Sequence, residues 1–190
     1  MKIGAITIGQ APRVDVTADI MDIFEGQAEL VQAGGLDGLT KEEIAKFKPE
    51  EGDYVLVSRL TDGSSVTFAE RYILPRLQQA IDELEAEGVD AIVAVCHLGD
   101  GDAPCTSLDL ANALTGEYQD KLDVIIDGHS HTVENEEVND VQIVQTGTGL
   151  SAVGKLTVSV SENSDPVVTE ELLGIEDFAE VTPDAEVAAE

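Results

Sequence analysis

The segment GVDAIVAVCH, residues 88–97, decides the fold of this chain. Apart from Asp90, the residues from Val89 to Val95 are apolar, and a glycine precedes them. A short continuous apolar run that follows a helical pattern predicts a strand buried on both faces. Such strands belong to parallel sheets that helices cover. The segment therefore predicts an α/β protein.

Patterns on either side of this strand extend the prediction. Apolar runs predict further strands at residues 2–8, 28–32, 54–60 and 124–126, and helical spacing predicts helices after Arg13, after Thr40, over 68–87 and over 107–114. Beyond these, residues 141–145 and 155–160 predict strands of an antiparallel meander, joined through Thr146-Gly147-Thr148-Gly149. The expected fold is α/β: a mainly parallel sheet sandwiched by helices, with an antiparallel meander at one edge contributed by the C-terminal half.

Composition limits the partners that this chain can bind. The 190 residues carry 39 acids against 10 Lys and Arg, a net charge of -29, which repels nucleic acid and anionic membranes. No apolar run reaches the length of a membrane span, and the first residues turn polar too soon for a secretory signal. We expect a cytoplasmic protein with one good core or two small lobes, and with no nucleic-acid or membrane partner.

All three histidines follow predicted strands. His97 ends the decisive segment, and His129 and His131 stand in GHSH after the apolar run LDVIID. Because ligands bind at the carboxyl ends of strands in open α/β sheets, this placement predicts a metal or phosphate site.

Residues 1 to about 95 resemble the AroM family. The matching stretches are TIGQAPR (7–13), AGGLDGLTKEEI (33–44), GDYVLVSRLTDGSSV (52–66), ILPRLQQAI (73–81) and GVDAIVAVC (88–96). The resemblance implies a relationship to the aspartate/glutamate racemase superfamily, whose strand-end cysteines exchange a proton with a substrate carbon. Cys96 stands at the family's strand-end cysteine, but His-Leu-Gly-Asp follows it instead of a small Thr-Gly continuation.

Residues from about 88 to 186 resemble the C-terminal part of the 5′-nucleotidase metallophosphatase domain. The matching stretches are VDAIVAVCHLGD (89–100), TSLDLANAL (106–114), LDVIIDGHSHT (122–132), VQIVQTGTG (141–149), VGKLTV (153–158) and TPDAEVA (182–188). The resemblance implies that His97 and His129 bind one metal ion and His131 the other. That family also requires an Asp-x-His, a metal-bridging Asp and an Asn-His, which are absent here. We therefore interpret the chain as a chimera: an AroM-like half over 1–95, a metallophosphatase-like half over 96–180 and an acidic tail over 181–190, with both halves in one continuous α/β domain.

Three hypotheses about function remain open. The leading one is a 5′-nucleotidase-like metallophosphoesterase fragment in which His97, His129 and His131 form a residual site for a divalent metal, zinc or manganese. Asp100, Asp102 and Asp127 lie nearby in sequence. Its substrate would be a small phosphate ester or nucleotide, and its hydrolysis weak or absent, because two-metal chemistry needs more ligands than these.

The two alternative hypotheses about function do not depend on the histidines. One is a folded chimera without an active site. The other is an AroM-like small-molecule binding protein in which Arg13, one of four arginines, contacts a substrate carboxylate or phosphate. Racemisation is not expected: Cys96 has the pattern of a buried apolar residue, Cys105 belongs to the other half, and both are predicted to be reduced structural thiols.

Overall fold

A six-stranded sheet runs through both halves of the sequence. A computed structural model describes residues 1–24, 26–101, 105–114, 116, 121–161 and 164–185. The strand order is β2-β1-β5-β6-β8-β7, with strands β1 (Lys2–Thr7), β2 (Glu29–Gly34), β5 (Ala91–Val95), β6 (Val124–Ile126), β7 (Val133–Val138) and β8 (Val141–Thr146). All neighbouring pairs are parallel except β7 with β8. The prediction of a mainly parallel sheet with an antiparallel edge is confirmed.

Two antiparallel hairpins accompany this sheet. One joins β3 (Val55–Arg59) to β4 (Ser65–Ala69), and the other joins β9 (Ala152–Ser161) to β10 (Ser164–Gly174). The predicted meander, which joined residues 141–145 to residues 155–160, therefore paired the wrong strands. Strand β8 pairs with β7, which precedes it, whereas β9 pairs with β10 in a sheet of its own.

Four α-helices are assigned in the described residues: α1 (Val14–Phe24), α2 (Lys41–Ile44), α3 (Leu74–Ala86) and α4 (Ser107–Ala113). The side chains of Thr40 and Thr106 each accept a hydrogen bond from the third residue of the helix that follows, and both sites are full capping boxes. Residues 68–73 were predicted as the start of α3. They form instead the end of β4 and a short 3₁₀ helix, because Pro75 occupies the first turn of α3.

The hydrophobic core draws on both sequence halves. One cluster contains Ile81 and Ile92 from the first half together with Ile125 and Ile143 from the second, all buried. A second cluster, around Phe68, lies beneath the β3–β4 hairpin and the turn after β2. The chain therefore buries its first half against its second. Within the described residues, no helix has both the length and the apolar character that crossing a bilayer requires.

Candidate functional site

Two of the three histidines meet at the carboxyl ends of neighbouring strands. His97 follows β5 and His129 follows β6, and Val95 of β5 is in register with Ile126 of β6. The two imidazole centroids are 5.1 Å apart with ring planes at 73°, and both rings are exposed. The juxtaposition expected from parallel pairing is therefore present for these two residues.

Asp127 links the two loops that carry these histidines. Its carboxylate accepts hydrogen bonds from the backbone N–H groups of Leu98 at 2.7 Å and Gly99 at 2.9 Å. Gly99 O in turn accepts from Ser107 N at 3.2 Å, so the first turn of α4 is tied to the same loop. The strand-end aspartate thus fixes the backbone next to His97.

Glycines allow the two histidines to approach each other. A Cβ on Gly128 would lie 3.1 Å from His97 Nδ1, and a Cβ on Gly99 would lie 3.1 Å from His129 Cδ2. Gly99 also has a φ of 75°, in the left-handed region where glycine is favoured. The glycines of His-Leu-Gly and Gly-His-Ser-His therefore have a packing role beside the imidazoles.

The GHSH segment has unusual backbone geometry. His129 has a φ of 79° and His131 a φ of 61°, values that residues other than glycine seldom adopt. With a backbone in this conformation, His131 does not simply continue the extended path of β6. Such residues concentrate at functional loops when the surroundings hold them in place.

Among the described residues, the ring contact between His97 and His129 does not include His131. In the described ranges, no group of three or more His, Cys, Asp or Glu side chains is arranged so that it could hold a metal ion. Asp102, a carboxylate close in sequence, lies outside the described residues. The observed contact between imidazoles is therefore that of His97 with His129.

A buried polar network supports the GHSH segment from the edge strands. Gln145 of β8 donates from Nε2 to the Ser130 hydroxyl at 2.9 Å and to the Thr132 hydroxyl at 3.1 Å, and it contacts Glu134 of β7 at 3.4 Å. Burial raises the pKa of Glu134, and the carboxylates of residues 100 and 127 raise it further. This network was not predicted, because β7 was not recognised as a strand, although Val133 and Val138 at its two ends were a usable signal.

The predicted substrate residue, Arg13, already holds a carboxylate. Its Nε and Nη2 donate to the two oxygens of Asp15 at 2.8 and 2.9 Å, and its backbone N–H donates to Gln32 Oε1 at 2.8 Å. The hydrogen bonds between the side chains raise the pKa of Arg13 and lower that of Asp15, which Arg59 lowers a little further. Arg13 follows β1, and in the sheet β5 lies between β1 and β6.

The loop that carries Arg13 is held by polar side chains. Gln10 accepts from the backbone N–H of Thr61 at 3.2 Å, and the two oxygens of Asp37 accept from Ala11 N at 2.7 Å and Gly34 N at 2.8 Å. These bonds join the segments TIGQAPR, AGGLDGL and the β3–β4 hairpin. The motif residues therefore fix one backbone conformation.

Both cysteines are free thiols. The pKa of Cys96 is raised to about 12, mainly by burial and in smaller part by Asp127 and Cys105. Burial also raises the pKa of Cys105. Neither environment supplies the cation that a catalytic thiolate requires.

A scan against protein-family models matches residues 3–99 to the AroM protein family. The chain belongs to the AroM family. The family segment includes the Arg13 loop and His97, whereas His129 and His131 lie beyond it.

The AroM-family chain is also similar to proteins with other names. It is 30% identical over 122 residues to the endonuclease YhcR of Bacillus subtilis. The matched region covers 60% of this chain and 9% of that protein. Among solved structures it is similar to the sulfate thiohydrolase SoxB of Thermus thermophilus (26% identity, TM-score 0.45, 60% of this chain and 20% of that one). It is also similar to a putative 5′-nucleotidase of Staphylococcus aureus (16% identity, TM-score 0.41, 100% of this chain and 48% of that one). The chain spans less than half the length of each of these three proteins.

Proposed function

We propose that His97 and His129 form a residual metal site of the metallophosphatase type. In this proposal the site binds one divalent ion weakly, and hydrolysis of phosphate esters is weak or absent. The observation that carries the proposal is the 5.1 Å separation of the two imidazole centroids at adjacent strand ends. Two imidazoles that share one tetrahedral zinc, with Zn–N bonds of about 2.0–2.1 Å, have centroids roughly 5 Å apart.

The donor set suits one ion and does not suit a two-metal centre. Imidazole binds zinc well and manganese acceptably, and water can complete the coordination sphere of an ion held by two histidines. A two-metal site needs a bridging carboxylate and a second ligand group, and the described residues supply neither next to this pair. The proposed site therefore holds a single ion.

The surrounding charges favour a cation at this position. Asp100 and Asp127 lie close enough to Glu134 to raise its pKa, and within the described residues none of the three carboxylates forms an ion pair with Lys or Arg. Negative charges brought together without a cation repel one another. A divalent ion would reduce that repulsion, which supports metal binding even with few direct ligands.

The substrate class in this proposal is a small phosphate ester or nucleotide. The net charge of -29 opposes the approach of an anionic substrate, and a bound divalent ion would offset that field locally. When bound, the ion would act as a Lewis acid on a phosphoryl oxygen. Of the chain's own residues, Asp127 keeps the backbone beside His97 in place.

Titration with Zn²⁺ and with Mn²⁺ tests the proposal, read by calorimetry and by the imidazole resonances in NMR spectra. We expect saturable binding of one ion in the wild-type chain and a loss of about tenfold or more in affinity in both His97→Ala and His129→Ala. His131→Ala is the matched control, because it removes a histidine of the same GHSH segment that takes no part in the ring contact, and its affinity should change little.

Binding that is absent, or unchanged in His129→Ala, would eliminate the site and favour a folded protein without an active site. Cys96→Ser and Cys105→Ser variants exclude thiol ligation as the source of binding. In a parallel assay, p-nitrophenyl phosphate and AMP should be hydrolysed slowly or not at all. Metal-dependent hydrolysis that survives the loss of His97 would show that the activity arises elsewhere.

A further inference from the structure

We propose that Gln145 is a positioning residue, which holds the GHSH segment (residues 128–131) so that the imidazole of His129 meets that of His97. Gln145 belongs to β8, and only 2% of its surface is exposed. Because it is buried, it acts through the GHSH segment and not as a ligand itself. Its effect on metal affinity rests on the function proposed above, whereas its effect on the two imidazoles does not.

Two backbone hydrogen bonds anchor the GHSH segment at its ends. Before the segment, Asp127 N donates to Val144 O at 2.9 Å, and after it Gly147 N donates to Thr132 O at 2.8 Å. The acceptor of the first bond belongs to β8, and the donor of the second follows directly after that strand. Gln145 stands between these two anchor points, where its side chain can reach the residues that leave the sheet.

Hydroxyl residues and histidines alternate in the anchored segment. His129 and His131 are exposed, whereas Ser130 and Thr132 are half-buried. The two hydroxyl oxygens are 2.9 Å apart, and Gln145 Nε2 donates to both, at 2.9 and 3.1 Å. The Ser130 hydroxyl also lies 3.1 Å from Gln145 Oε1, to which it can donate. One buried amide group therefore binds both residues that flank His131, and one of these directly follows His129.

The backbone conformation of this segment requires such external contacts. His129 and His131 have φ values of 79° and 61°, in the left-handed region that residues with a Cβ adopt only where their surroundings hold them. Ser130 N donates to Gly128 O at 3.1 Å, a local bond that spans only one of these two residues. The side-chain bonds from Gln145 supply the hold from outside the segment. They thereby fix the direction from which His129 approaches His97, with ring centroids 5.1 Å apart.

A second glutamine of β8 separates this role from ordinary burial. Gln142 is 9% exposed, and its Nε2 donates to Asn135 Oδ1 at 2.8 Å and to Glu136 O at 3.1 Å, both on β7. Gln145 contacts β7 in a similar way, through Glu134 at 3.4 Å. Both glutamines are therefore buried amides that join β8 to β7. Among the described residues, the bonds to the GHSH segment distinguish Gln145.

The test compares Gln145→Leu with Gln142→Leu in the metal-free full chain, read by the NOE between the ring protons of His97 and His129. We expect this NOE in the wild type and in Gln142→Leu, and a severalfold reduction or complete loss in Gln145→Leu. Ser130→Ala is the second variant, because it removes the bound hydroxyl at a half-buried position and leaves Gln145 in place. It should reduce the NOE in the same direction, even if Gln145→Leu fails to fold.

Zinc titration of the same variants gives the second measurement. Gln145→Leu should weaken zinc binding by about tenfold, as the loss of a partner that orients a metal ligand does, and Gln142→Leu should leave it unchanged. The double variant of Gln145→Leu with Ser130→Ala should bind no more weakly than Gln145→Leu alone, because the two residues act through one contact.

The proposal is overturned if the NOE persists in Gln145→Leu and in Ser130→Ala, or if Gln142→Leu loses it equally. Absence of the NOE from the wild type would overturn it as well. A wild-type chain that shows the NOE but binds no zinc would overturn the metal site alone, and the comparison of the two glutamines would still decide the role of Gln145.

Discussion

Cys96 shows how the surroundings of one residue control its chemistry. Burial, helped by the carboxylate of Asp127, raises the pKa of its thiol to about 12. Because only the thiolate is a strong nucleophile, Cys96 is unreactive at neutral pH. A racemase-like role, which would need a thiol that readily loses its proton, has no support at this position.

The two cysteines should therefore differ in their rates of alkylation. At pH 8 we expect iodoacetamide to modify Cys105 in the native protein and to leave Cys96 unmodified, since the pKa of Cys96 lies several units above that pH. The rate at Cys96 should rise only as the pH approaches its pKa or as the protein unfolds. Peptide mass spectrometry after timed labelling measures both rates.

A Cys105→Ser variant isolates the signal of Cys96, and labelling in denaturant gives the rate without burial. Rapid modification of Cys96 in the native variant at pH 8 would contradict this assignment of a buried, protonated thiol.

Some of the site could be predicted from single residues, and some could not. The pairing of His97 with His129 follows from parallel strands, because neighbouring strands place their carboxyl ends at one edge of the sheet. The position of His131 depends on the left-handed backbone of His129 and of His131 itself. No periodic pattern in the sequence predicts such a conformation. The Arg13–Asp15 ion pair depends on loop geometry for the same reason.

At the scale of elements, Asp127 couples β6 to the loop after β5. Its carboxylate accepts two backbone N–H groups of that loop. Asp123 makes a similar contact at the opposite end of β6, where it accepts from Ile92 N at 2.6 Å. The two aspartates therefore hold both ends of the β5–β6 pair, and only one of them is next to the histidines.

We expect Asp127→Asn to lower the free energy of unfolding by about 1–3 kcal/mol, because an amide N–H₂ would face a backbone donor that has lost its acceptor. It should also shift the ring resonances of His97 and His129 and weaken metal binding. Urea denaturation and NMR spectra of the imidazoles measure these effects.

The control is Asp123→Asn at the other end of the same strand. Burial raises the pKa of Asp123, so loss of its charge should offset part of the lost hydrogen bond, and the histidine resonances should stay where they are in the wild type. Identical histidine spectra for Asp127→Asn and the wild type would show that Asp127 does not position the loop.

The strands that escaped prediction share a physical reason. Strand β10 contains Asp165, Glu170 and Glu171 in a two-stranded sheet that keeps much of its surface in solvent, so its sequence resembles an acidic tail. The last residues of β4, Phe68 and Ala69, were predicted as the start of the helix that follows. The central strands were predictable because burial on both faces leaves a continuous apolar run.

For the whole molecule, the AroM-family match ends at residue 99, just after the central strand β5. Strand β5 pairs with β1 on one side and with β6 on the other, through Ile3 with Ala91 and Val93 with Val124. Ile92 and Ile125 belong to one buried cluster. Residues inside the family match and residues beyond it therefore share one core.

We therefore expect the full chain to unfold in one cooperative transition, as small single domains do. Hydrogen exchange read by mass spectrometry should give β1 and β8 the same opening free energy, because each depends on the central strands between them. A chain truncated to residues 1–99 would leave β5 as an edge strand, with Ile92 and Ala94 uncovered, and it should lack protection at β5. Two calorimetric transitions, or native-like protection of β5 in residues 1–99, would instead mean that the AroM-family half folds by itself and that the second half is attached to a finished domain.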